Sequence, residues 1–479
     1  MTATTVIRDC DWIVAWDSDE KRHVYRRGGD VVFAGGRLVG VGETFAGEAG
    51  TTISGRGRLV MPGLVDLHSH PGLEPLYRGI REEHGVRAMG MSGLYERSCA
   101  FFPDDEGKLA AAAVAYCEML LSGVTSVADL SFPYPGWPEL MARSGLRSFL
   151  AIGFASARWR LAGHHELQFA WDEDGGRRGL DAALATIDRL PQDPSGRLSG
   201  IVYPAQIETC TPDLFRDAIA AAAERDLPIT THAAQSVNEF DEIMRRHGKT
   251  PIGFAADLGL LGPRTTLGHG IFLDHHSWLH QRSHADLALL AESCTTVAHC
   301  PTPFARYGTM LEDFGRYRRA GINMGIGTDT TPHNMLEEIR TAATLGRIAS
   351  GDVHGTSLSE VLHAATVGGA RALLRDDIGR LAPGCRADVV LVDLEDPWMM
   401  PARDPLRSLV YHAADRAVRD VFVDGRQVVR DGRVTTLDRA DALERLADAQ
   451  ARMMREVPGR DFRGRSADEI APLTLSIAS

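Results

Sequence analysis

The sequence predicts an α/β fold: a (β/α)8 TIM barrel with a small β-sandwich domain built from both chain ends. Three observations lead there. Eight short runs rich in Val, Ile and Thr, bounded by Gly or Pro, recur between residues 59 and 330; runs of that length and composition form strands. Amphipathic stretches such as DLFRDAIAAAAERD (213–226) and MLEDFGRYRRAG (310–321) lie between them, and strands alternating with helices build a parallel sheet. Histidines and one aspartate stand at the C-terminal ends of several runs, the end at which barrels of this kind carry their active sites. A doubly wound open sheet is the second choice. It usually places its ligand at a switch point and does not gather residues from most strand ends.

The strands follow in order. They are LVMPGLVDLHSH (59–70), GVTSVADL (123–130), RSFLAIGF (147–154), SGIVYPAQ (199–206), PITTHAAQ (228–235), TTLGHGIF (265–272), TTVAHCP (295–301) and NMGIGTDT (323–330). The ends of the chain read differently. DVVFAGGRLVGVGE, starting at Asp30, is a hairpin around Gly-Gly, and VRDVFVDGRQVVRDG, starting at Val418, is another around Asp-Gly. Residues 1–60 and 378–435 are therefore read as two parts of one β domain and 61–377 as the barrel. Residues 436–479 are read as an amphipathic helix over 437–457 and a tail.

Composition narrows the function. The chain has 479 residues, 44% hydrophobic and 24% charged, with a net charge of -12. That balance argues against nucleic acid or an anionic membrane as partner, since both need a basic face. No apolar run reaches the length of a membrane span, and the start shows no secretory pattern. Seven scattered cysteines without C-x-x-C fit a reducing, cytoplasmic compartment.

His68 and His70, two apart in one strand, project from the same face. His232, His269, His299 and Asp329 end the fifth to eighth strands. Imidazoles gathered with a carboxylate are what a borderline divalent cation needs. His275, His276, His280 and His284 share one loop–helix region and are assigned ordinary roles.

MPGLVDLHSH, THAAQ, LGHG, AHCPTP and GIGTDTTPHNMLEEIR together resemble the amidohydrolase superfamily. The likeness is to its branch of triazine hydrolases, guanine and S-adenosylhomocysteine deaminases and related amide hydrolases. GRLAPGCRADVVLVDLEDPWMMPARDP resembles that branch too. The resemblance implies one divalent metal on His68, His70, His232 and Asp329, with His269 a further ligand or just behind one. No lysine ends a strand, so one metal is expected and not a lysine-bridged pair. Ligand type makes zinc the default, with Fe2+ or Co2+ also fitting. Such a metal lowers the pKa of bound water from 15.7 to about 7. Asp329 is then expected to accept the proton, while His269 and His299 stabilise developing charge or protonate the leaving group.

Two departures separate this chain from deaminating relatives. Gln235 stands where they carry a proton-shuttling glutamate, and an amide cannot take that role. Ala205 stands where many carry a substrate histidine, which leaves Gln206 and Glu208 as expected pocket residues. Glu74, Tyr77, Arg78, Tyr95, Glu96 and Trp159 are further expected substrate contacts, from loops expected to cover the mouth. The function expected is metal-dependent hydrolysis of a non-peptide C–N bond in a small amide, urea, carbamate or N-substituted heterocycle. An aminohydrolase that releases ammonia from a purine, pterin or triazine is the close alternative. A non-catalytic scaffold is the distant one. The expected partner is a small-molecule substrate, in a homo-oligomer.

Overall fold

In a computed structural model, residues 4–86 and 91–478 are described. Eight parallel strands follow one another around a ring in chain order. They are Leu64–Ser69, Val124–Ser131, Arg147–Phe154, Leu198–Pro204, Ile229–Ala233, Thr265–His269, Thr296–His299 and Asn323–Ile326. The ring closes between the last strand and the first. The Asp329 N–H donates to His68 O at 2.9 Å, and Thr328 donates to Asp66 through its N–H (3.0 Å) and hydroxyl (2.6 Å).

The period of two expected of strands divides their side chains between two buried faces. Leu67, Ala128, Leu130, Phe149, Ala151, Ile201 and Tyr203 form one cluster. Their neighbours Val127, Leu150, Ile152 and Val202 pack in another with helix residues such as Tyr116, Leu120, Ile187 and Phe215. Being buried on both faces is why these strands read as continuous apolar runs.

The chain ends build two facing sheets. Thr5–Arg8, Asp30–Ala34, Arg37–Glu43 and Thr51–Ser54 make one of four strands. Trp12–Asp17, Arg22–Arg27 and Arg58–Pro62 join Val389–Asp393, Val418–Val423, Arg426–Arg430 and Arg433–Val434 in one of seven. Ile7, Val31 and Phe33 meet Ile13, Val389, Leu391 and Phe422 between the sheets. The Gly35-Gly36 and Asp424-Gly425 turns have positive φ at both residues (56° and 77°, 50° and 73°), as two-residue hairpins of that twist require.

Three details differ from the sequence expectation. The run 59–70 is two strands: Arg58–Pro62 belongs to the seven-stranded sheet and Leu64–Ser69 to the barrel. Gly63 is the joint, where a Cβ would lie 2.0 Å from Thr125 Oγ1. The helix expected over 310–321 is confined to Phe314–Arg319, with Asp313 at φ 68° before it. The third difference is an antiparallel hairpin, Ala157–Gly163 with Glu166–Trp171, inserted after the third barrel strand. Its ARWRL and ELQFAW segments alternate around Gly-His-His, a signal present in the sequence.

The C-terminal helix runs Arg439–Arg460, capped by the Asp438 carboxylate. Its buried stripe Ala442, Leu446, Ala449, Met453 and Val457 packs on Ala110, Ala111 and Val114, and on Leu76, Tyr77 and Ile80 of the loop after the first barrel strand. No helix among the described residues is long and apolar enough to cross a membrane.

Candidate metal centre and active site

Four of the expected ligands meet at the C-terminal rim. His68 Nε2 lies 3.1 Å and His70 Nε2 3.3 Å from His232 Nε2. Asp329 Oδ1 is 3.5 Å from His68 Nε2 and 3.3 Å from His70 Nε2. A tetrahedron of bonds about 2.0–2.2 Å long separates its ligand atoms by about 3.3–3.6 Å. The four neighbouring pairs here, each histidine of the first strand with His232 and with Asp329, have spacings of about that size.

The tautomers point the same way. His70 Nδ1 donates to Leu130 O and His232 Nδ1 to Ala205 O, each at 2.7 Å. Both rings therefore turn an Nε2 lone pair toward the other, which is repulsive unless a cation lies between them. Both nitrogens of His269 are buried without a hydrogen-bond partner. Buried polar atoms are normally satisfied, so these too fit a site for an ion and its water. His269, His68 and Asp329 form a second close group that shares two members with the first. Among the described residues, no other three His, Cys, Asp or Glu side chains gather this closely.

Backbone geometry makes the room. A Cβ on Gly268 would lie 2.5 Å from His68 Cε1, so glycine beside His269 lets the His68 ring sit across the barrel. Asp329 has φ 56°, the left-handed region that Asp tolerates better than most residues.

Electrostatics favour the metal-binding form of Asp329, His68, His232 and His269, and oppose it at His70. Burial pushes the Asp329 carboxyl up, but His269, His68 and His70 outweigh it and keep the group well below the usual carboxylate range. Burial lowers His68, His232 and His269. Burial opposes charging of His70 as well, but Asp329 and Glu74 raise it overall. His299 is pushed down to about 3 by burial alone. It is therefore neutral at pH 7. In that form it can donate an N–H hydrogen bond to developing charge. Its ring packs near Phe314, at 5.7 Å.

A cavity of about 160 Å3 opens at the rim. Its lining includes His70, His232 and Asp329, with Leu73, Met91, Leu94, Leu130, Phe132 and Phe304 as apolar walls. Of the expected substrate contacts, Glu74, Tyr77, Trp159, Gln206 and Gln235 line it. The Glu74 carboxylate is already engaged, accepting from Arg97 (3.1 Å) and Thr330 (2.6 Å). The Tyr77 hydroxyl donates to Phe101 O, leaving the ring to the wall.

The other expected contacts are placed elsewhere. Arg78 pairs with Glu118 and donates to Thr331 Oγ1 at 3.1 Å, off the cavity wall. Tyr95 is buried, its hydroxyl 2.7 Å from Ser236 Oγ and its ring edge-on to Trp159. Glu208 is buried behind the wall and accepts from the Trp159 indole N–H at 3.1 Å; burial pushes its carboxyl up to about 7. Glu96 borders an outer chamber that shares Tyr77, Trp159 and Gln206 with the cavity. The placement of these four has one cause: sequence shows that a polar residue lies near the rim, but not which way its side chain turns.

Two residues absent from the expected set contribute. The Tyr203 hydroxyl is 3.3 Å from His232 Nδ1, and Arg97 anchors Glu74. Tyr203 is the last residue but one of the fourth barrel strand, a position the strand pattern could have marked. Arg97 lies on a helix, Ser92–Ala100, with no such register.

Comparison with known proteins agrees with this geometry. Residues 59–428 match the model of the Amidohydrolase family. A 5-methylthioadenosine/S-adenosylhomocysteine deaminase of Natronomonas pharaonis is 30% identical over 420 residues, 87% of this chain and 91% of that protein. One of Desulforudis audaxviator is 33% identical over 439 residues, 89% and 95% of the two chains. Atrazine chlorohydrolase from Arthrobacter aurescens, solved with zinc, superposes with a TM-score of 0.79 at 25% identity, covering 94% of this chain and 99% of that one. The chain belongs to the Amidohydrolase family and is a hydrolase acting on carbon–nitrogen bonds other than peptide bonds.

Proposed function

We propose that the protein hydrolyses a C–N bond in a small, flat, mostly uncharged amide, urea, carbamate or N-substituted heterocycle, with one divalent cation, zinc by default. The observation that carries this is a set of three Nε2 atoms and one carboxylate oxygen in which His68 and His70 each lie 3.1–3.5 Å from His232 and Asp329, beside an apolar cavity that His70, His232 and Asp329 line. His68, His70, His232 and Asp329 would hold the ion, with His269 beside them. When bound, such an ion makes water acidic enough to ionise near neutral pH.

The chain's own residues do the rest. Asp329, held ionised, accepts a proton through its carboxylate. His269, kept neutral by burial, offers an N–H to charge building on the substrate. Trp159, Phe304 and Tyr77 take the flat apolar body and exclude water. Gln235 and Gln206 hydrogen-bond polar edges without exchanging protons. That last point favours amide or urea cleavage over ring deamination.

The deaminase reading stands second, supported by relatives named as 5-methylthioadenosine/S-adenosylhomocysteine deaminases along nearly their full length. One experiment separates the two. Metal content is measured on the purified protein, then ureas, carbamates, anilides and amino-heterocycles are screened with both products identified. The expected outcome is about one divalent ion per chain and release of an organic amine. Ammonia from a ring amine would replace the first reading by the second. Metal-free protein that turns over nothing would leave the scaffold. All seven cysteines are free, which supports the cytoplasmic placement; assembly as a homo-oligomer is proposed with it.

A further inference from the structure

The C-terminal helix lies outside the barrel, yet one of its side chains grips the loop that shapes the cavity. Gln450 donates both amide hydrogens from Nε2, to Leu76 O at 2.7 Å and Arg78 O at 2.8 Å. These carbonyls belong to the turn Glu74–Tyr77 and the residue after it. The same turn braces the end of the eighth barrel strand twice. Glu74 accepts from the Thr330 hydroxyl at 2.6 Å, and Arg78 Nε donates to Thr331 Oγ1 at 3.1 Å. Thr330 and Thr331 directly follow Asp329, whose backbone sits at φ 56°. Leu73, Glu74 and Tyr77 also line the cavity. The helix itself is docked by its apolar stripe and does not depend on Gln450 to stay in place.

We propose that Gln450 is a positioning residue of the active site: by pinning the carbonyls of Leu76 and Arg78 it holds the loop that fixes Asp329 and one cavity wall. The kinetic part of this inference rests on the hydrolase reading; the structural part does not.

The test uses the full-length, zinc-loaded protein. Gln450→Leu removes both donors at similar volume, and Gln450→Lys restores a donor. Arg452→Ala is the control: it cuts the helix's ion pair with Asp104 (2.8 Å) without touching the loop. Amide hydrogen exchange is read over 71–80 and 329–331, with kcat and KM for a substrate found in the screen. In Gln450→Leu, exchange over both segments should quicken by about tenfold while 439–460 stays protected. KM should rise by about tenfold, with a smaller fall in kcat, and Gln450→Lys should recover most of both. Arg452→Ala should match wild type. Loop exchange within about twofold of wild type, equal loss of protection across 439–460, or no recovery in Gln450→Lys would overturn the proposal. If no substrate is found, the hydrolase reading fails alone and the exchange result still decides the role of Gln450.

Discussion

His70 concentrates the chemistry of the site in one side chain. Its Nδ1–H is committed to Leu130 O, so its Nε2 faces His232 and Asp329 and the cavity together. Removing it leaves three groups that can no longer surround an ion. Since outer partners of metal ligands alone cost about 10–100-fold, His70→Ala should lose more than about a hundredfold in turnover. Its metal content should fall too, measured by elemental analysis after dialysis; wild-type values for both would end the metal reading. Gln235 is the residue at which the proposed amide or urea cleavage and the deaminase reading diverge. Its backbone N–H donates to the buried Glu239 carboxylate at 2.8 Å and its side chain lines the cavity. Positioned acid–base groups contribute about 10²–10⁴-fold. Gln235→Glu should therefore raise ammonia release from an amino-heterocycle by about a hundredfold, followed in a coupled ammonia assay. No gain would show that the missing carboxyl is not what limits deamination.

At the scale of elements, the helix Met335–Ser350 carries a buried carboxyl that adds to the pH dependence of stability. Glu338 is buried against the seventh-strand end, where its carboxyl accepts from the Thr302 N–H at 3.2 Å. Burial, aided by the charges of Asp66 and Asp329, pushes it from 4.5 up to about 8. The folded chain thus keeps a proton that the unfolded chain releases. Stability from this group is complete below the unfolded value near 4.5 and is lost as pH rises through about 8. Glu338→Gln should flatten the fall in melting temperature between about pH 4.5 and 8, read by thermal unfolding with metal saturating; an unchanged slope would refute it. The strands were legible because burial on both faces leaves continuous Val, Ile and Thr runs. The hairpin after the third strand was not read because its exposed faces dilute the pattern, though Trp159 was singled out within it.

At the scale of the molecule, barrel and β domain are locked by a buried ion cluster. Arg147 opens the third barrel strand and donates to Asp388 at 3.1 Å and Asp424 at 2.6 Å, both from the C-terminal part of the β domain. Arg147 and Asp388 are fully buried. Removing one partner of such a cluster leaves a buried charge without compensation and costs about 3–5 kcal/mol. Arg147→Ala should lower stability by about that amount in denaturant unfolding, while the protein that remains folded keeps its metal. A change below about 1 kcal/mol would mean that apolar packing alone joins the two parts. The C-terminal helix adds a second tie, from the far end of the chain to the loop after the first barrel strand.

By itself the sequence determined the barrel, the sandwich of chain ends and the residue types at the rim. Those features repeat locally: short apolar runs, hairpin glycines, and a histidine or aspartate at the ends of five of the eight strands. Tertiary structure alone decided that four of those groups stand within 3.5 Å of a neighbour, that Tyr95, Arg78 and Glu208 turn away from the cavity, and that a glutamine 380 residues downstream of His70 grips the active-site loop. Distances across a closed ring and the direction of a side chain in a loop depend on what packs behind them, and no local pattern records that.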